Sequence, residues 1–314
     1  MQKDYSTLRK QIERQRNMSK YGELLVFVSA FLYGCNPLIS KSIYSYGGAP
    51  ITLVFFRLLI GSLGMGVLHF LFYRDSIMLT KSQLKNALIC SLFFCATPLL
   101  LWSSYHYLPS GLSTTINFSY PSLVLLGSYL IYHHRITQNE FISCILSMFG
   151  IICLCQVNGS IHVKGVILAF LSALTFALYV LFLANSNLIQ LPPFKLNFWI
   201  SILGAAESLA IGGLTSTLTF QIAPKGWFLI VLLAISSGIL ASTAFQQGTR
   251  YIGAQKASLL STFEPLTSIF IGITVYHETF SLRAFLGILS VLISVLLLSI
   301  FSSQTVRKIK NRFT

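Results

Sequence analysis

Glu264 and Arg57 each sit inside a long apolar run, in Ser261-Thr262-Phe263-Glu264-Pro265 and in Phe55-Phe56-Arg57-Leu58. A charged side chain in hydrocarbon costs several kcal/mol unless it is paired, wet or neutralised, so each is a candidate for ligand binding, ion coupling or a buried ion pair. Pro265 removes one helical hydrogen bond and frees the Ser261 carbonyl as an acceptor. Ser261, Glu264 and Ser268 follow at three- and four-residue spacing, hence on one face. Ser29, Tyr33, Asn36 and Ser40 form a similar polar face around Pro37, and Ser113, Asn117 and Tyr120 another, where Pro121 frees the Asn117 carbonyl. Further candidates are Ser172, Thr175, Phe176 and Tyr179; Pro98, Trp102 and Tyr105; and Thr243, Gln246 and Gln247. For a single Ser or Thr, bonding back to its own helix competes with ligand contact. Trp102 fits either a cavity wall or an interfacial aromatic belt. Gln246 and Gln247 are gate candidates, and Glu207 reads as interfacial.

Enzyme chemistry finds little to work with. All six histidines (69, 106, 133, 134, 162 and 277) fall at or outside the ends of apolar runs. A metal shared by His69, His133 and His134 is the weak exception. There is no glycine-rich nucleotide loop and no Ser nucleophile with a base beside it in an apolar run. No cofactor is expected.

These residues need elements to hold them, and composition says which. Charged residues are 10% of the 314, against about a quarter in soluble domains, and hydrophobic residues are 54%. Asp, Glu, Lys and Arg are missing throughout 86–132, 141–163, 165–194 and 284–306. A bilayer core needs about 20 apolar residues per helix. That ruler gives ten candidate spans, at about 23–43, 51–73, 85–106, 110–132, 138–157, 163–184, 195–213, 226–248, 255–276 and 281–302. The runs are too long for barrel strands, so the fold class is an all-α membrane protein.

The chain also repeats itself. At an offset of 144 positions Pro121 meets Pro265, Tyr132 meets Tyr276, His133 meets His277, Phe141 meets Phe285 and Tyr107 meets Tyr251. Upstream the offset is 143, aligning Gly22 with Gly165, Ser29 with Ser172 and Gly61 with Gly204. Five spans per half is an odd number, so the second half enters from the opposite face as an inverted repeat. The expected organisation is a basic segment 1–21, repeats over 22–157 and 163–302, and a basic tail 303–314, with a turn at Asn158-Gly159 between the halves. Cytosolic termini put seventeen Lys and Arg inside and only Lys41, Lys164, Lys225 and Arg283 outside, leaving Arg57 within a span. The net charge of +14 is then topology plus attraction to anionic lipid rather than a nucleic-acid footprint.

In this frame Arg57 lies roughly 10 Å from the outer end of its span, and Glu264 about ten residues from the inner end of its own. They sit at similar depth. Either they form a salt bridge, or Arg57 binds a substrate carboxylate, or Arg57 snorkels outward. Glu264 either serves a ligand or proton, or is a neutral structural residue pinning helices. The first twenty residues suit a short interfacial helix. The six cysteines read as free, buried small residues.

The segment STFEPLTSIFIGITVYHETFSLRAFLGILSVLISVLLLS resembles the carboxyl-terminal repeat of the drug/metabolite transporter superfamily, EamA type. Gly34-Cys35-Asn36-Pro37 and Phe56-Arg57-Leu58 resemble features of its first two helices, and the likeness runs over about 22–302. It implies ten helices, a central cavity and a secondary carrier of small metabolites, with export as an expectation, but it names no substrate. A carboxylate and an arginine among Tyr, Trp and Asn suit an amino acid or a related amine-bearing compound, and Glu264 makes protons the expected coupling ion. One departure is that Tyr120 stands where the first half would match Glu264. The expected site is Asn36, Arg57, Trp102, Asn117, Tyr120, Tyr179 and Glu264, with Glu264, Gln246 and Gln247 as gate or coupling residues. The expected setting is the plasma membrane (bacterial inner membrane), with a small-molecule substrate, lipid and protons as partners and oligomeric state open. An intramembrane enzyme, or a non-transporting receptor or assembly protein, is the alternative.

Overall fold

Prolines and capping residues mark where the helices begin. In this computed structural model the backbone is described at residues 2–73, 76–132, 137–154, 156–157, 160–278 and 281–310. Helices α1 (Gln2–Gly34) and α2 (Asn36–Ser45) make the first crossing; α3 (Pro50–Phe72) and α4 (Lys81–Ser104) follow. Then come α5 (Ser110–Asn117), α6 (Tyr120–Tyr132) and α7 (Gln138–Leu154). Two short strands, β1 (Gln156–Val157) and β2 (Ser160–Ile161), pair antiparallel between the halves; residues 158 and 159, where a turn is expected, lie outside the described residues. The second half holds α8 (Val163–Ala184), α9 (Pro193–Leu214), α10 (Pro224–Leu233), a π-helical segment over Ala234–Ala241, α11 (Ser242–Ser261), α12 (Phe263–Tyr276) and α13 (Leu282–Lys310). Pro50, Pro193 and Pro224 open their helices, where a missing N–H costs nothing. Thr80 with Gln83, and Thr137 with Glu140, close reciprocal capping boxes on α4 and α7.

Among the described residues six helical stretches are long and apolar enough to cross a membrane, and three shorter apolar helices accompany them. The expected span 110–132 is instead two helices, parted at Phe118-Ser119. The expected break between spans eight and nine, near 248–255, is absent; α11 runs through it to Ser261, and the chain breaks at Thr262. The first twenty residues do not form a separate interfacial helix. With no proline before Pro37 to stop it, α1 continues from Gln2 to Gly34.

Packing follows the duplication. The main helix pairs are α1 with α11, α4 with α8, α3 with α9, and α7 with α13. Exchanging the repeats turns the first pair into the second and returns each of the other two to itself, as a pseudo-two-fold requires. A Cβ on Gly22 would meet Tyr251, and one on its equivalent Gly165 would meet Tyr107, the equivalent of Tyr251. These two contacts lie at opposite ends of the bundle. Tyr251 neighbours Arg250, which bonds the Tyr73 hydroxyl after α3, whereas Tyr107 follows the far end of α4. The second repeat is therefore inverted.

Lipid offers no hydrophobic drive between helices, so close backbone approach carries the packing. A Cβ on Gly248 would lie 2.8 Å from the Gly22 carbonyl, and one on Gly150 2.8 Å from the Gly287 carbonyl. Because backbone cannot step aside, Gly248→Val is expected to force α1 and α11 apart and cost about 1–3 kcal/mol. A melting temperature equal to wild type in purified protein would refute that crossing.

Candidate functional site

Three helix breaks converge on one cavity of about 480 Å3. Pro37 and Pro121 take the second position of the helix after a break and Pro265 the third, so the loss of one N–H per proline falls where a helix start needs none. The residue before each proline, Asn36, Tyr120 and Glu264, faces the cavity from the first turn of its helix. Irregular backbone at membrane depth is tolerated where it is enclosed by protein or lines a cavity. Glu264 therefore stands at a helix start rather than in mid-helix as the sequence suggested.

All seven expected site residues line this space: Asn36, Arg57, Trp102, Asn117, Tyr120, Tyr179 and Glu264. Gln246 joins them, while the lining does not include Gln247. Asn36 Oδ1 and Gln246 Oε1 are buried and accept no hydrogen bond among the described residues. Buried acceptors are normally paired, so both are available to a ligand's donors. Tyr33 closes this wall by a 2.7 Å bond with the Ser242 hydroxyl. Opposite, Asn117 Nδ2 donates to Ser172 Oγ at 2.8 Å, tying α5 to α8.

Arg57 is 9% exposed. Its Nε donates to Ser237 Oγ at 2.9 Å, and its guanidinium lies 5.8 Å from the centre of the Trp102 ring. Ser237 is delivered by the π-helical segment, whose Gly238 also lets α3 approach at Gly61. Such bulges commonly occur at functional sites. The expected salt bridge to Glu264 is not made, since no described carboxylate lies within ion-pair distance of Arg57. Depth alone had suggested the pair, but side-chain direction keeps the charges apart on separate walls.

The cavity reaches past Tyr179 to Leu191, Pro193 and Asn197, the end of the bundle where α8 stops and α9 starts. The other end is tied shut. Glu278 Oε1 accepts from the Lys41 ammonium, from the Ser110 N–H at 3.1 Å and from the Ser110 hydroxyl at 3.2 Å. The carboxylate thus joins α2 to the N-terminus of α5, where it also meets the positive end of a helix dipole. Tyr276 OH donates to the Leu38 carbonyl at 2.8 Å, and Tyr44 OH to the Trp102 carbonyl at 3.1 Å. The turn is built for this: His277 takes a left-handed conformation, Glu278 N–H returns to the Gly272 carbonyl, and Gly272 leaves room for the carboxylate. Sequence reading placed Lys41 outside but missed its partner, because a loop acid carries no periodicity.

One further expectation changes. Glu207 is not interfacial: its Oε1 accepts from Ser91 Oγ at 2.6 Å near the middle of α4, and its Oε2 is buried with no hydrogen-bond partner among the described residues. His69 stacks on Tyr73, with ring centres 5.5 Å apart, while His133 and His134 lie outside the described residues. Among the described residues Cys35, Cys90, Cys95, Cys144 and Cys153 are free; Cys155 is outside them.

The sequence profile of the EamA-like transporter family matches residues 20–156 and again 163–300. The chain belongs to the EamA-like transporter family. No curated protein matches it. A solved chain titled "Crystal structure of protein" superposes with a TM-score of 0.64 at 17% identity, covering 90% of this EamA-like transporter and 98% of itself. At that identity the likeness is one of fold. Family and fold together make the protein an integral, multi-pass membrane transporter of the drug/metabolite superfamily, with a small-molecule substrate and a lipid environment.

Proposed function

We propose that this chain is a secondary carrier of small zwitterionic metabolites, amino acids or related amine-bearing compounds, and that it works by alternating access. The observation that carries this is the pairing of Arg57 and Glu264 on one cavity without a salt bridge between them. A carboxylate on the substrate completes Arg57, and an ammonium completes Glu264 together with the open acceptors Asn36 and Gln246. Each charge is then neutralised by the cargo, which offsets the cost of holding it at membrane depth. Cytosolic termini, favoured by the basic-residue asymmetry, make the observed cavity inward-facing and the Lys41–Glu278 end the outer gate. Export across the plasma membrane is the direction we assign. Protons are the coupling ion, taken up by Glu264, the one acidic residue on the lining among the described residues.

A thermal-shift screen of purified protein tests the substrate class, since a bound ligand raises stability by mass action. Zwitterions should raise the melting temperature more than amines or acids bearing one charge. Equal shifts from singly charged compounds would count against the reading. Asn36→Ala removes one neutral acceptor and is expected to weaken affinity by about 1 kcal/mol, roughly fivefold, without lowering the ligand-free melting temperature. Unchanged affinity would remove Asn36 from the site.

A further inference from the structure

The two walls of the cavity are equivalent by the repeat but differ in chemistry. One wall is α1 and the start of α2 with α12, packed where Gly34 meets Thr267 and the Phe27 and Phe263 rings lie 5.0 Å apart. The repeat maps this pair onto α8 with α6, packed where Gly127 meets Leu181. Three positions matched by the repeat reach the cavity on both walls. Tyr33, Asn36 and Glu264 on the first wall become Phe176, Tyr179 and Tyr120 on the second, at offsets of 143, 143 and 144. At these matched positions the first wall is polar and acidic and the second is aromatic.

The aromatic wall is continuous. Tyr120 meets Phe176 edge-on at 4.6 Å, Phe176 meets Tyr179 at 5.7 Å, and Phe94 of α4 extends the row at 5.3 Å from Tyr179. Phe118 continues it on the other side, 5.9 Å from Tyr120. Rings in such offset and edge-to-face arrays present faces and edges to a further planar group, which gains more from them than from plain apolar burial. Symmetry alone would make the walls alike. Their divergence gives the cavity two poles.

We infer that the cargo is a zwitterion carrying a bulky planar or aromatic side group, its charges held by the α1–α12 wall and Arg57, its side group against Tyr120, Phe176 and Tyr179. The inference rests on the zwitterion reading above and adds the side-group class. A cavity of about 480 Å3 accommodates such a molecule. Phe176 and Tyr179 are then specificity-determining residues, and a cargo lacking the side group leaves the aromatic wall unfilled.

The test uses the full chain with four probes: phenylalanine, alanine, phenethylamine and 3-phenylpropionate. Binding is read by thermal shift, and vesicle uptake by competition against labelled phenylalanine. Phenylalanine is expected to bind at least about tenfold more tightly than alanine, and both singly charged analogues at least about tenfold more weakly than phenylalanine. Phe176→Ala, with Phe176→Leu as a milder variant should the first fail to fold, is expected to bring the phenylalanine-to-alanine ratio below about threefold while alanine binding holds. Alanine binding as well as phenylalanine, or an unchanged ratio in both variants, overturns the aromatic pole and leaves the zwitterion reading standing. Singly charged analogues that bind as well as phenylalanine overturn the zwitterion reading instead. Failure of all four probes to bind overturns both.

Discussion

Glu264→Gln is expected to fold and express normally and to lose at least about tenfold in flux per folded molecule, about 1.4 kcal/mol on a binding or barrier step. The substitution keeps shape and hydrogen bonding but removes the charge and its titration. Glu264 lies on the cavity and makes no ion pair with Arg57, so the protein has little packing to lose there. An imposed proton gradient should stimulate the wild type and leave the variant unmoved. A purely structural Glu264 predicts the reverse pattern. Glu264→Gln would then lower the melting temperature at normal flux, and adding Arg57→Gln would recover part of that loss by removing an orphaned charge. Measuring flux and melting temperature for both single variants and the double separates the two, and unchanged flux in Glu264→Gln would remove it from the site.

Reversing either charge of the outer latch should be nearly as damaging. Glu278→Lys sets two ammonium groups against each other where Lys41 and Glu278 now join α2 to α12. It also loses the acceptor for the Ser110 N–H and hydroxyl. A carrier whose outer end cannot close cannot complete its cycle, so flux should fall at least about tenfold, about 1.4 kcal/mol. Lys41→Glu should behave similarly. The double reversal restores the ion pair but not the Ser110 bonds, so it should recover most of the flux and not all of it. A cysteine at Ser42, which sits 3.4 Å from Tyr276 OH in the same seam, should react faster with an external thiol reagent in Glu278→Lys. A double variant no better than the singles would show that the contact is not a latch.

The parts legible in the sequence are those with a local cause. Pro37, Pro121 and Pro265 announce the three helix breaks, because a missing N–H acts on the residue's own turn. The polar residue before each proline marked the cavity for the same reason. The duplication was visible because it conserves spacing, and spacing survives where side chains do not. What failed was anything set by rotation about a helix axis. Arg57 and Glu264 share a depth, yet depth leaves azimuth free, and the ion pair inferred from it is not formed. Glu207 looked interfacial by position but turns toward Ser91 of a neighbouring helix. Ser237 and Glu278 were missed because a π-helical bulge and a left-handed turn re-aim them, and neither has a period to detect. The aromatic wall was half visible: Tyr120, Phe176 and Tyr179 stood out by spacing, while Phe94 and Phe118 join them only through tertiary packing.

Counterflow in reconstituted vesicles tests the central account most directly. Vesicles loaded with a high concentration of unlabelled zwitterionic amino acids are diluted into trace labelled compound, with no nucleotide and no ion gradient. An alternating-access carrier exchanges one for the other, so label should accumulate transiently above its equilibrium level, saturably, and not in protein-free vesicles. Label that enters no faster than in protein-free vesicles, across zwitterions with small and with aromatic side groups alike, would contradict transport of this class through this cavity.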